Sequence, residues 1–92
     1  MNDTLRPRIT PFYVAERFDG ELLLYSARGR KAIYLNETAC AVWTLCGKNM
    51  NIGEIIEYLR QTYPDAQDRI RDDVYHVLEE LGKKGAIDCV DG

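Results

Sequence analysis

Few residues of this chain could carry chemistry. The candidates are three cysteines (Cys40, Cys46 and Cys89), a single histidine (His76), and the adjacent carboxylates Asp72 and Asp73. A nucleophilic thiolate needs a base within hydrogen-bond reach, and a zinc site needs four ligands in paired motifs. Cys40 and Cys46 stand six residues apart, so on a helix they point in different directions. His76 falls off the apolar stripe of its helix and reads as a solvated side chain. The thiols read as free cysteines in a reducing compartment. Asp72 and Asp73, as helix neighbours, diverge by about 100° and cannot converge on one proton or ion. No Gly-rich phosphate loop and no Ser–His–Asp set is present. The pattern predicts a protein with no catalytic residue, no metal and no cofactor.

Composition narrows the class further. The 92 residues are 46% hydrophobic and 29% charged, with a net charge of −3. That mixture folds as one soluble domain over residues 1–92, with residues 1–11 expected to form a flexible arm around Pro7 and Pro11. No apolar run approaches the roughly 20 residues that span a bilayer, and "MNDTLRPRIT" has no apolar core of a secretion signal. A cytoplasmic protein with no membrane contact is the expectation. A sequence pI near 5.1 leaves no electrostatic footprint for phosphate backbones.

The elements that must position any site follow from periodicity. "FYVAERF" (12–18) alternates as a strand, with Phe12, Val14 and Phe18 on one face. Asp19-Gly20 is a hairpin signal, because both residues tolerate positive φ. "ELLLYS" (21–26) is the second strand, "ARGR" turns around Gly29, and "KAIYL" (31–35) is the third. Asn36 caps a helix whose buried face is Ala39, Val42, Trp43 and Cys46, ending at Gly47. Asn51 with Glu54 forms a capping box for a second helix on Ile52, Ile55, Ile56, Leu59 and Tyr63. Asp65 and Asp68 suggest the same start for a third, built on Ile70, Val74, Val77, Leu78 and Leu81 and closed by Gly85. "AIDCV" (86–90) reads as a short last strand. The fold class is α+β: a three-stranded antiparallel sheet followed by a three-helix bundle, the outline of a winged helix-turn-helix.

That outline raises a DNA-binding transcription regulator as the alternative reading, and a structural subunit of an enzyme complex as a third. The recognition helix of a DNA binder presents cations to phosphates and base edges. From Asp65 to Glu80 the third helix carries six carboxylates against Arg69 and Arg71, so a duplex would repel it. The outer strand offers something else. An edge strand leaves backbone N–H and C=O groups free to pair with an extended peptide. Arg30 and Lys31 read either as guards of that edge or as part of its use. The acidic third helix favours a partner with basic residues, and Tyr34 or Tyr75 would supply apolar contact.

The series Leu35-Asn36-Glu37-Thr38-Ala39, Trp43, Leu45, Cys46, Ile52, Glu54, Ile55, Leu59, Tyr63-Pro64, Asp73-Val74, Leu78, Leu81 and Gly85-Ala86-Ile87 resembles the PqqD family. These are small proteins that bind the precursor peptide in pyrroloquinoline quinone biosynthesis, within the wider group of recognition elements for ribosomally made, modified peptides. The resemblance covers roughly residues 12 to 88. It implies a winged-helix-like fold and a peptide chaperone without activity of its own. The leader segment of a precursor would add as a strand to Arg30, Lys31, Ala32, Ile33, Tyr34 and Leu35, beside a helix face drawn from Arg71, Val74, Tyr75 and Leu78. It also implies a modifying enzyme as partner, commonly a radical S-adenosylmethionine enzyme. One departure is Gly47-Lys48, where the family usually shows Asp-Gly; Gly47 is expected to supply the positive φ of that turn. The departure leaves a lasso or thioether peptide as good a product as pyrroloquinoline quinone. The exposed edge and the N-terminal arm are compatible with a monomer or a strand-exchanged dimer.

Overall fold

The computed structural model describes residues 2–26, 28 and 30–91, so the turn expected around Gly29 lies outside the described residues. The elements run β1 (Leu5–Ile9), β2 (Tyr13–Phe18), β3 (Glu21–Ser26), β4 (Ala32–Leu35), α1 (Glu37–Cys46), α2 (Ile52–Thr62), a 3-10 turn (Pro64–Ala66), α3 (Gln67–Lys83) and β5 (Ile87–Asp91). Strands β2, β3 and β4 form an antiparallel sheet in that order, as the alternation predicts. Asp19 at φ 49° and Gly20 at φ 81° make the tight hairpin turn between β2 and β3.

The period-two pattern decides which face of this sheet meets the helices. Leu22 and Leu24 of β3 pair with Leu35 and Ile33 of β4, and all four are buried. They pack with Val42, Trp43, Ile55, Leu59, Val74, Leu78 and Leu81 from the three helices in one core. Burying each such side chain contributes about 1.5–3 kcal/mol, which no isolated strand or helix here could supply. Trp43 is a core residue, 6% exposed. Val14 and Phe18 project from the other face of the sheet and are exposed, as is Phe12, which precedes β2.

The caps of α1 and α2 form as the sequence predicts. Asn36 accepts from the Ala39 amide at 2.9 Å, and Asn51 and Glu54 complete the reciprocal box at 2.8 and 2.9 Å. Two expectations change. Gly47 sits at φ −77°, and Asn49 takes the positive φ of that connection instead. Asp65 does not cap α3: Pro64–Ala66 form the 3-10 turn, and α3 starts without a side-chain cap. At its far end Gly85 (φ 76°) stops α3, with its amide on the Gly82 carbonyl and the Ala86 amide on that of Leu81. This double closure is a Schellman motif, for which a glycine in the left-handed region is suited.

The expected loose arm is the clearest correction. Leu5–Ile9 form β1, which pairs antiparallel with β5 in a second, two-stranded sheet. Pro7, which weakens any strand reading, is buried opposite Cys89. Arg6 donates to the Asn49 carbonyl at 2.6 Å, and Thr10 donates to the carbonyls of Ala86 and Gly85. The partner strand lies some 80 residues away, so nothing local in the sequence announced it.

Candidate functional site

In β4, antiparallel pairing alternates the direction of the backbone groups. The Ser26 amide donates to the Lys31 carbonyl at 2.8 Å, which makes Ser26 and Lys31 a hydrogen-bonded pair. The register then repeats at Leu24–Ile33 and Leu22–Leu35. Lys31, Ile33 and Leu35 therefore direct their peptide groups at β3. Ala32 and Tyr34 direct theirs away from it, and among the described residues no strand pairs with that side. Ala32 and Tyr34 thus present a hydrogen-bonding edge with no partner strand among the described residues.

A groove of about 250 Å³ lies along this edge. Its apolar floor is Ile33, Leu35, Ala39, Val77 and Leu81, and its rim is Tyr34, Asn36, His76, Glu80 and Lys84. Strand β4, the start of α1 and one flank of α3 make its walls. Tyr34 is 56% exposed; hydrogen bonding to Glu21 is the main cause that raises its phenol pKa, so it stays neutral. Among the described residues no group of three His, Cys, Asp or Glu side chains could hold a metal ion. Burial pushes the Cys46 thiol up to about 12, which removes it as a nucleophile at neutral pH.

The sequence-predicted residues divide sharply on this geometry. Ile33, Tyr34 and Leu35 line the groove, Ala32 contributes its outward peptide groups, and Arg30 and Lys31 stand at the end where β4 begins. The four residues expected from α3 do not join them. Val74 and Leu78 are fully buried in the core. Arg71 and Tyr75 lie on the far flank, because at about 100° per residue Tyr75 is about 160° around from Val77 and Arg71 about 180° from Glu80.

The far flank is already occupied by the chain itself. The Asp3 carboxylate accepts from both terminal nitrogens of Arg71, at 2.9 and 2.8 Å, and from the Tyr75 hydroxyl. The Asp3 carbonyl accepts from the Gly53 amide at 2.9 Å, near the start of α2. The Tyr75 hydrogen bond, with Arg71 adding to it, holds the Asp3 carboxyl below its ordinary range, and the same bond raises the Tyr75 phenol.

Sequence reasoning missed His76, Val77, Glu80 and Lys84 as groove residues. Spacing places Val77, Glu80 and Leu81 on one flank of α3 beside the buried stripe, with Lys84 at its C-cap, but it does not tell that this flank is the one left open. No curated protein matches the chain. A solved structure of TbiB1 in complex with the TbiA(beta) leader peptide is similar in fold, with a TM-score of 0.77 over 88% of this chain and 94% of that one, at 18% identity. The family model for coenzyme PQQ synthesis protein D (PqqD) matches residues 21–87, well over half of the sequence. The chain belongs to the PqqD family.

Proposed function

We propose that this protein binds the leader segment of a ribosomally made precursor peptide, as an added strand on β4, and holds it for a modifying enzyme. The observation that carries this reading is the edge of Ala32 and Tyr34, unpaired among the described residues, beside the groove between β4 and α3. Strand addition draws affinity from main-chain hydrogen bonds and specificity from pockets for alternate side chains. Both are on offer here, and the work needs no catalytic group. The leader peptide bound to the similar fold of TbiB1 supports the same reading. The contact set we propose is Arg30 and Lys31 with strand residues Ala32 to Leu35, facing His76, Val77 and Glu80 of α3 and its C-cap Lys84, in place of the α3 residues expected from the family.

The partner enzyme in this reading is of the radical S-adenosylmethionine class, following the resemblance to the family, and the complex works in the cytoplasm. Among the described residues, no helix is long and apolar enough to cross a membrane. Titration of isotope-labelled protein with the leader segments of short peptides encoded beside its gene tests the proposal. Amide shifts concentrated on Ala32, Tyr34 and the His76–Lys84 flank are expected. Saturable binding with those amides silent would overturn it.

A further inference from the structure

At the end where β4 begins, a second depression of about 360 Å³ adjoins the groove. Arg28, Arg30, Lys31 and Lys84 stand around it, with Phe12 and Tyr13. All four cations are exposed, and among the described residues none of them makes an ion pair; those found are Arg6–Glu54 and Arg71–Asp3. In a chain of net charge −3, such a cluster runs against the overall balance. The carbonyls of Lys84 and Gly85 at this corner are engaged already. The Tyr13 hydroxyl donates to the Lys84 carbonyl at 2.7 Å, and the Thr10 hydroxyl to that of Gly85 at 2.6 Å. Of the neutral polar side chains in its lining, the Tyr13 hydroxyl is bonded to the Lys84 carbonyl and Ser26 Oγ accepts from the Arg30 and Lys31 amides, whereas the four cations have no ion-pair partner among the described residues.

Lys84 lines both depressions, so the two adjoin at that side chain. Along the α3 flank, Asp73 lies one helical turn N-terminal to Val77, outside the groove's own lining, and Glu80 is the carboxylate on its rim. The basic side chains are thus gathered at the end of the path where β4 begins.

Resting on the reading of β4 given above, we infer that the accepted peptide carries Asp or Glu side chains on the C-terminal side of its paired segment. Those carboxylates sit over Arg30, Lys31 and Lys84, with an apolar neighbour against Phe12 and Tyr13. The direction follows from the sheet. Every pairing in it is antiparallel, and antiparallel addition is the more stable per residue. A strand laid antiparallel on β4 leaves its C-terminal end at Lys31. At about 3.3 Å per residue, the carboxylates fall about two to four residues past the one opposite Tyr34.

The test is selection of randomised linear peptides displayed on phage, carried out on the full chain and in parallel on Arg30→Glu/Lys31→Glu and on Tyr34→Pro. Thermal melts confirm folding of each, and Lys84→Glu serves as a second charge reversal from the helix side. Enriched peptides are expected to place Asp or Glu after an apolar, β-branched core. Their affinity should fall on the order of tenfold in the charge-reversed variants, and should weaken with salt in the unmodified chain. Peptides that need Tyr34 but show no acidic bias, or that bind the charge reversals equally well, overturn the inference while leaving the β4 reading intact. Peptides bound equally by Tyr34→Pro overturn the β4 reading itself.

Discussion

The two flanks of α3 are built from the same helix and meet opposite fates. On one, the carboxylate of Asp3 binds Arg71 and Tyr75, so the N-terminal segment covers the helix. On the other, Val77 and Glu80 face the free edge of β4 across an open groove. Between them Val74 and Leu78 hold the helix in the core at 0% exposure. A single amphipathic helix therefore has three roles separated only by rotation about its axis: closed flank, anchor, open flank. Polar character alone does not mark a binding face, because both flanks are polar. What differs is whether the rest of the chain reaches them.

The strongest challenge to this division is Leu78→Ala. As an anchor residue, its truncation should cost about 2–5 kcal/mol of stability, read by urea unfolding, with no effect on peptide affinity in the fraction that stays folded. A loss of peptide affinity without a loss of stability would move Leu78 to the open flank and break the comparison.

Tyr34→Pro probes the open flank next. It removes the outward amide of β4 but no bond to β3, so the variant should fold, as proline is tolerated on the free side of an edge strand. Peptide affinity should drop by at least about tenfold, or about 1.4 kcal/mol, in calorimetric titration. Ile33→Pro is its partner experiment: the lost amide there pairs with β3, so stability should fall more than in Tyr34→Pro. Equal melting behaviour in the two would mean that the alternation of β4 is misassigned.

Val77→Ser removes apolar floor from the groove at a half-buried position. A loss of affinity of about 1 kcal/mol is expected for the missing methyl contacts, with little change in unfolding. Unchanged affinity would confine the site to the strand.

The smallest effect belongs to the closed flank. Asp3→Asn should lower stability by no more than about 1 kcal/mol, since the pair is partly exposed, and should leave peptide affinity unchanged. Its pH signature is specific. The folded-state pKa of Asp3 is lowered from 3.8, chiefly by the Tyr75 hydrogen bond. The stabilisation is therefore fully present above that ordinary value and is lost as pH falls through the lowered folded value. The stability difference between the unmodified chain and Asp3→Asn should shrink on acidification over that window. Reduced peptide binding by Asp3→Asn at neutral pH would show that the two flanks are coupled.

The amino-acid sequence by itself determined most of the scaffold. Alternation in "ELLLYS" and "KAIYL" settled which residues of β3 and β4 face the core, and Asp19-Gly20 settled their hairpin. Asn36 and the Asn51–Glu54 box set two helix starts, and Gly85 set one helix end. These are signals carried within a few residues, where backbone geometry and side-chain period act directly. The family, too, was legible in that run of short motifs. Tertiary structure decided the rest. It made a strand of "LRPRI" because β5, at the other end of the chain, satisfies its backbone, and it gave the positive φ to Asn49 rather than Gly47. It also divided the α3 residues: the apolar period identifies Val74 and Leu78 as inward-facing, but only the packed chain shows that inward means core. The same holds for Arg71 and Tyr75, which nothing local distinguishes from His76 and Glu80. Which flank stays open depends on where residues distant in sequence come to rest, and helical periodicity carries no information about that.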